Sequence, residues 1–146
     1  MIPTPQMRHK GEEMEQYNSA LNLQKLVFDK IEFERKGFKN TQELQFELQA
    51  QIGVDENGVY KVTLVLNGTK QDEYDVVISL SGFFKLEGQV EDKTGQDLIN
   101  RNAVAILMPY LRSELTLLTA QPDTDSVVLP PFNINKMFEK PQHDDA

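Results

Sequence analysis

From Leu44 to Ile52 every second residue is apolar: Leu44, Phe46, Leu48, Ala50 and Ile52. Glu43, Gln45, Glu47, Gln49 and Gln51 fill the positions before and between them. A period of two belongs to a β-strand with one face in a core and the other in water. A helix would scatter these side chains around its circumference. A chain holding this segment must build a sheet with one apolar and one polar face.

The neighbouring segments extend that sheet. Val59 to Leu66 sets Tyr60, Val62, Leu64 and Leu66 on one face. Tyr74 to Leu80 does the same with Tyr74, Val76, Ile78 and Leu80, and the stretch from Ser81 to Gly88 continues or bends that strand. Asp55-Glu56-Asn57-Gly58 predicts a hairpin turn, because Asn-Gly tolerates positive φ. Asn67 to Glu73 predicts the next turn, and the sequon Asn67-Gly68-Thr69 is read as part of it. Upstream, Leu21, Leu23, Leu26, Phe28, Ile31 and Phe33 are apolar, but their parity slips twice. Such slips predict bulges in a first strand. Four strands with short connections predict an antiparallel meander.

After Gln89 the period becomes helical, with Thr94 as expected N-cap and Asp97 three residues on. Val104, Met108, Leu111, Leu115 and Leu118 fill one stripe, while Ile106, Leu107, Tyr110 and Leu117 carry apolar surface beyond it. Pro109 lies inside this run and is expected to kink or split the helix. Packing on one sheet needs a single stripe. Either the C-terminal segment covers the surplus, or a subunit interface does. The short remaining chain favours an interface through Val104, Ile106, Leu107 and Tyr110. Gln121 to Ser126 reads as a loop, Val127 to Phe132 as an extended apolar segment with paired prolines, and Ile134 to Glu139 as a short helix capped by Asn133. The expected fold is α+β: a four-stranded antiparallel meander with a long and a short helix on one face. Residues 1–19 are expected to form a mobile arm, 20–140 the domain and 141–146 a loose tail.

The chain has 146 residues, no cysteine and a net charge of −8. Its acidity makes nucleic acid and anionic membrane poor partners. No segment approaches the roughly 20 apolar residues of a membrane span, and the N-terminus lacks the apolar core of a signal peptide. A cytoplasmic location is expected. The histidines, His9 and His143, fall in the expected arm and tail. Gly82 and Gly88 make no phosphate loop, and no EF-hand spacing follows Asp55-Glu56-Asn57. No catalysis, metal or cofactor is therefore expected. Apolar residues beyond the needs of the core remain: Phe33 and Phe38 around the loop after the first strand, Phe83 beside Phe84, and Leu129 and Phe132 on the proline-rich segment. They either plug the ends of the core or frame a groove for extended apolar peptide.

The segment Ala105-Ile106-Leu107-Met108-Pro109-Tyr110-Leu111-Arg112-Ser113-Glu114 resembles the Ile-Leu-Phe-Pro-Tyr-Ala-Arg-Glu signature of the bacterial export chaperone SecB. Phe28 to Glu34, Tyr60 to Leu64, Gly82 to Gly88 and Leu129 to Asn133 resemble further segments of that family in the same order. The resemblance runs from about Leu21 to Glu139. It implies a tetramer built as a dimer of dimers, with the long helices between the pairs. It also implies an ATP-independent holdase that binds unfolded polypeptide in grooves under the loop after strand 1 and the loop between the helices. Phe33, Phe38, Phe83, Leu129 and Phe132 fall on or near those elements. In that family an acidic outer sheet face docks the translocase motor SecA. Glu32, Glu34, Glu43 and Glu47 are the acids placed for such a face here, but Lys30 and Val77 stand where the resemblance puts two of the family's acids. The expected role is therefore export chaperone, or dedicated chaperone of one antitoxin or other single partner, or a scaffold of the same fold that binds no unfolded chain.

Overall fold

The computed structural model describes residues 21–87, 93–131 and Ile134. Strands β1 (Leu21–Arg35), β2 (Leu44–Val54), β3 (Val59–Lys70) and β4 (Tyr74–Leu86) form one antiparallel sheet, and helix α1 (Lys93–Thr119) packs on it. The expected arm 1–19, the tail 141–146, Phe132 and residues 135–139 of the expected short helix lie outside the described residues. Ile134 itself is helical and packs against the core.

The alternation in β2 is realised as read: Leu44, Phe46, Leu48, Ala50 and Ile52 are half-buried and the residues between them exposed. β2, β3 and β4 form the expected meander, but β1 does not join it beside β2. The strand order is β1-β4-β3-β2, a Greek-key arrangement. The connection 36–43 crosses the β3–β4 hairpin, three strand spacings or about 14 Å. A loop of that length reaches well beyond this distance. A two-residue link would have forced β1 against β2.

β1 carries register shifts between Leu23 and Lys25 and between Phe28 and Lys30. These two bulges absorb the parity slips. Leu23, Leu26, Phe28, Ile31 and Phe33 thereby stand opposite Phe84, Gly82, Leu80, Ile78 and Val76, all on the helix side of the sheet. β3 runs on to Lys70, so Asn67-Gly68-Thr69 belongs to a strand and not to a turn. Gly68 is needed there for space: a Cβ would stand 3.0 Å from Val76 Cγ1 and 3.1 Å from Leu44 Cδ1. In the β2–β3 turn Gly58 takes the positive φ of 78°. Asp55 Oδ1 there accepts the N–H groups of Asn57 at 2.8 Å and Val59 at 2.9 Å.

Val62, Leu64, Leu66, Tyr74, Val76, Ile78, Leu80 and Phe84 of the sheet are fully buried against Val104, Leu107, Leu111 and Leu115 of α1. This corrects the expected subunit interface, because Val104 and Leu107 point into their own sheet. Leu107 seats directly on Gly82, where a Cβ would fall 2.6 Å from Leu107 Cδ2. Of the four interface candidates, Ile106 is half-buried and Tyr110 is 46% exposed.

The helix includes Thr94 rather than starting after it, and it runs unbroken through Pro109. Pro109 and Ala105, whose carbonyl loses its helical partner to the proline, are both exposed. Water can satisfy that carbonyl, so the helix is not forced to split.

Candidate functional site

A helix is about 10 Å across with its side chains, whereas four strands span about 19 Å. One helix therefore covers two strands well, and here it lies mainly over β4 and β3. The outer strands keep apolar shoulders. On the β1 side these are Leu23, Leu26, Phe28 and Phe33, half-buried, with Ile31 at 43% exposure. On the β2 side they are Leu44, Phe46, Leu48, Ala50 and Ile52, half-buried, with Val54 at 57%.

Two loops close one end of these shoulders. The crossover loop 36–43 is laced to the β3–β4 turn through Glu73, whose side chain is fully buried. The Glu73 carbonyl accepts N–H groups from Lys36 at 2.7 Å and Gly37 at 3.1 Å. Its carboxylate takes the Asn40 N–H at 2.9 Å, Lys70 Nζ at 2.8 Å and the Arg35 guanidinium at 4.0 Å. Burial, the largest influence, pushes this carboxyl up. The hydrogen bonds from Lys70 and Asn40, with the charges of Lys70 and Arg35, outweigh it and hold Glu73 below the usual carboxylate range.

The loop after α1 is joined to the crossover loop. Lys39 Nζ meets Asp125 at 3.0 Å, its backbone N–H reaches Asp123 Oδ2 at 3.1 Å, and Arg35 bonds Thr124. The hydrogen bond to Asp125 raises the Lys39 ammonium above its ordinary pKa. Farther on, the same segment is sewn to the helix. Thr119 Oγ1 accepts the Val127 N–H at 2.8 Å, Thr116 donates to the Val127 carbonyl at 2.8 Å, and Arg112 donates to the Leu129 carbonyl at 3.0 Å. An open cleft of about 590 Å³ lies between Pro109, Arg112, Ser113, Thr116 and Leu117 of the helix and Val128 of the loop.

The expected groove residues do not all converge. Phe33 lies on the helix side of β1, stacked on Tyr74 with ring centroids 4.5 Å apart and Arg35 5.8 Å from its centroid. Phe38 stands on the crossover loop at 86% exposure. Leu129 is buried and belongs to the core, while its neighbour Val128 is 68% exposed. Phe83 is on the opposite face of the sheet, between Lys25 and Lys61. It shares no groove with Phe33.

The acidic candidates hold together better. Glu32 and Glu34 on β1 and Glu47 on β2 lie on the outer face, and Glu43 is exposed just before β2. Lys30 pairs with Glu32 at 3.6 Å, and Val77 stands opposite Glu32 on the same face. On the exposed side of α1, Tyr110 is joined by Leu117 at 67% exposure. Leu117 belonged to the apolar surplus of the sequence but not to the interface expected from it. The parts played by Glu73, Arg35 and Lys39 escaped sequence reading, because they depend on a crossover that no periodicity encodes.

Among the described residues no helix is long and apolar enough to cross a membrane, and no group of three or more His, Cys, Asp or Glu is placed to hold a metal ion. No family model matches the chain. An uncharacterized protein of Methanocaldococcus jannaschii is 30% identical over 102 residues, a match covering 65% of this chain and 65% of that relative's length. Among solved structures, a protein of unknown function from Streptococcus agalactiae superposes with a TM-score of 0.41 at 16% identity, covering 75% of this chain and 96% of that one. The SecB-like chaperone Rv1957 of Mycobacterium tuberculosis, solved in complex with a ChAD peptide from the HigA1 antitoxin, superposes with a TM-score of 0.63 at 11% identity, covering 85% of this chain and 99% of that one. With its four-stranded antiparallel sheet and the long helix packed on it, this chain has a SecB-like fold.

Proposed function

We propose that this protein is a SecB-like chaperone that works in the cytoplasm by binding extended polypeptide and not by catalysis. The observation that carries the reading is the mismatch, among the described residues, between one long helix and four strands. It leaves apolar shoulders along β1 and β2, and two mutually tied loops close one end of them. An extended client lays its apolar side chains on such a surface and keeps its backbone toward water or the sheet edge. Holding a client there requires no nucleotide and no metal. The half-buried Ile106 and the exposed Tyr110 and Leu117 on one side of the helix support assembly into a homotetramer through the helices.

A second reading, a chaperone dedicated to one antitoxin or similar partner, is favoured by Lys30 and Val77. They interrupt the acidic outer face by which the resembled family docks its motor SecA. That interruption counts against a role in export. The Mycobacterium tuberculosis neighbour was captured with an antitoxin peptide, which agrees with the same reading.

The test is capture of denatured proteins. A slow-folding protein is diluted from denaturant with and without this chain, and aggregation is followed by light scattering. Suppression is expected, and it is expected to weaken when Ile31 and Phe38 are both replaced by Ser. Both side chains are exposed, so the variant should keep its fold. No suppression with any of several clients removes the general holdase and leaves the dedicated chaperone. Full suppression by the double variant places the binding surface elsewhere.

A further inference from the structure

The outer face of the sheet, opposite the helix, is sorted by charge. At the end where β4 begins, Glu34, Asp75 and Glu32 lie in adjacent rows, with Glu47 level with Glu32 on β2. The two lysines near this end are compensated: Lys36 Nζ is 2.5 Å from Asp75 and Lys30 Nζ is 3.6 Å from Glu32. At the other end the register places Lys25, Phe83 and Lys61 in one row across β1, β4 and β3, with Lys85 two residues along β4 on the same face. The ammonium groups of Lys25 and Lys61 stand 5.9 and 5.7 Å from the Phe83 ring centroid, one on each side. Among the described residues, no carboxylate lies within ion-pair distance of Lys25, Lys61 or Lys85. The acids nearest the patch are Asp29, which takes the Ser81 hydroxyl at 2.5 Å, Asp55, which takes the turn N–H groups, and Glu87, two residues beyond Lys85.

We propose that Lys25, Lys61 and Lys85 around Phe83 form a docking patch for an acidic segment of a partner polypeptide that carries an apolar side chain to lie over the ring. Phe83 is half-buried and faces away from the core, so it offers apolar area that the fold itself does not use. The two flanking lysines are about 10 Å apart, two strand spacings. Carboxylates two to four residues apart on an extended segment span that distance within the reach of lysine side chains. The net charge of −8 does not cancel the patch. The acidic end is six residues away along β4, about 20 Å, against a screening length of about 8 Å at physiological salt. A short acidic peptide therefore meets the three lysines and the nearby Asp29 but little of the acidic end, into which a long nucleic acid strand also extends.

The proposal is independent of polypeptide capture, which uses the opposite face. The test measures fluorescence anisotropy of a short fluorescein-labelled glutamate peptide with one central phenylalanine, titrated with the full chain. Binding that weakens with added salt is expected, along with a loss of about tenfold or more in the double variant K25E/K61E. The double variant E32Q/E34Q at the far end should bind as the native chain does. All four side chains are exposed, so circular dichroism and the light-scattering assay should be unchanged. Absence of binding, or equal binding by K25E/K61E, overturns the proposal. So does preferential binding of a single-stranded oligonucleotide to the same lysines, which would make the patch a nucleic-acid surface.

Discussion

Glu73 joins three parts of the chain that are distant in sequence: the β3–β4 turn, the end of β1 and the crossover loop. Changing it to Gln keeps its shape but leaves the Lys70 ammonium, 6% exposed, without its counter-charge. Breaking a buried pair in this way costs about 3 kcal/mol, and urea unfolding at neutral pH should show it. The pH dependence follows from the direction of the shift. Glu73 titrates lower when folded than when unfolded, so its contribution is complete above the unfolded carboxylate pKa of about 4.3. That contribution is lost as the pH falls through the folded value. The stability gap between the native chain and Glu73→Gln should therefore close as the pH falls below about 4.3. A gap independent of pH would show that shape, not charge, sets the cost. Gly82 makes a second residue-scale case. A methyl group there meets both Leu107 methyls and Phe84 in a closed core. Gly82→Ala should lose about 1–3 kcal/mol by overpacking, read from the same unfolding curves. Neither role is visible in sequence: Lys70-x-x-Glu73 looks like an ordinary polar turn, and nothing in the pattern around Gly82, where the strand could continue or bend, says that a helix leucine seats on it.

At the scale of elements, the legible parts were those whose signal is local. β2, β3 and β4 announce themselves by a period of two, and the bulges of β1 by two slips of parity. The place of β1 beside β4 was not legible, because it depends on the path of a loop rather than on any pattern within the strand. The rotation of α1 was legible in part: the stripe of Val104, Met108, Leu111 and Leu115 picked out by periodicity is the one that meets the sheet. Leu107, which the sequence set beyond that stripe, joins the core because Gly82, in another element, leaves room for it. Of the expected kink or split at Pro109, the split did not occur, because Pro109 and Ala105, whose carbonyl it orphans, are both exposed residues. Pro109→Ala restores one helical hydrogen bond and removes a residue about 3 kcal/mol worse than alanine in a helix interior. It should raise the unfolding free energy by about 1–3 kcal/mol, less the part that solvation of the Ala105 carbonyl already recovers. Calorimetry checks this. An unchanged midpoint would mean that the proline's ring packing, or its stiffening of the unfolded chain, offsets the lost bond.

At the scale of the whole molecule, one side of the helix closes the core, and the proposed assembly uses the other. That side carries the half-buried Ile106 and the exposed Tyr110 and Leu117 at positions i, i+4 and i+11, a spacing that forms a continuous seam along a helix. Val104 and Leu107, which the sequence had assigned to that seam, are spent on the core, so the remaining stripe is narrow and each of its members counts. Replacing Tyr110 and Leu117 together by Lys places two charges on the seam at positions already exposed in the protomer. Surface changes of this kind cost the protomer little, within about 0.5 kcal/mol each. Charges forced into an apolar interface are far more costly there. Sedimentation velocity at micromolar concentration should therefore show an oligomer for the native chain and a smaller species for Tyr110→Lys/Leu117→Lys, with the same circular dichroism. The apolar shoulders along β1 and β2 lie within each protomer, so the dissociated variant should still capture clients, more weakly because fewer shoulders are joined for one client to span. If the native chain sediments as a monomer, the seam has some other occupant. If the variant dissociates and loses capture altogether, the binding surface is built between protomers rather than within one.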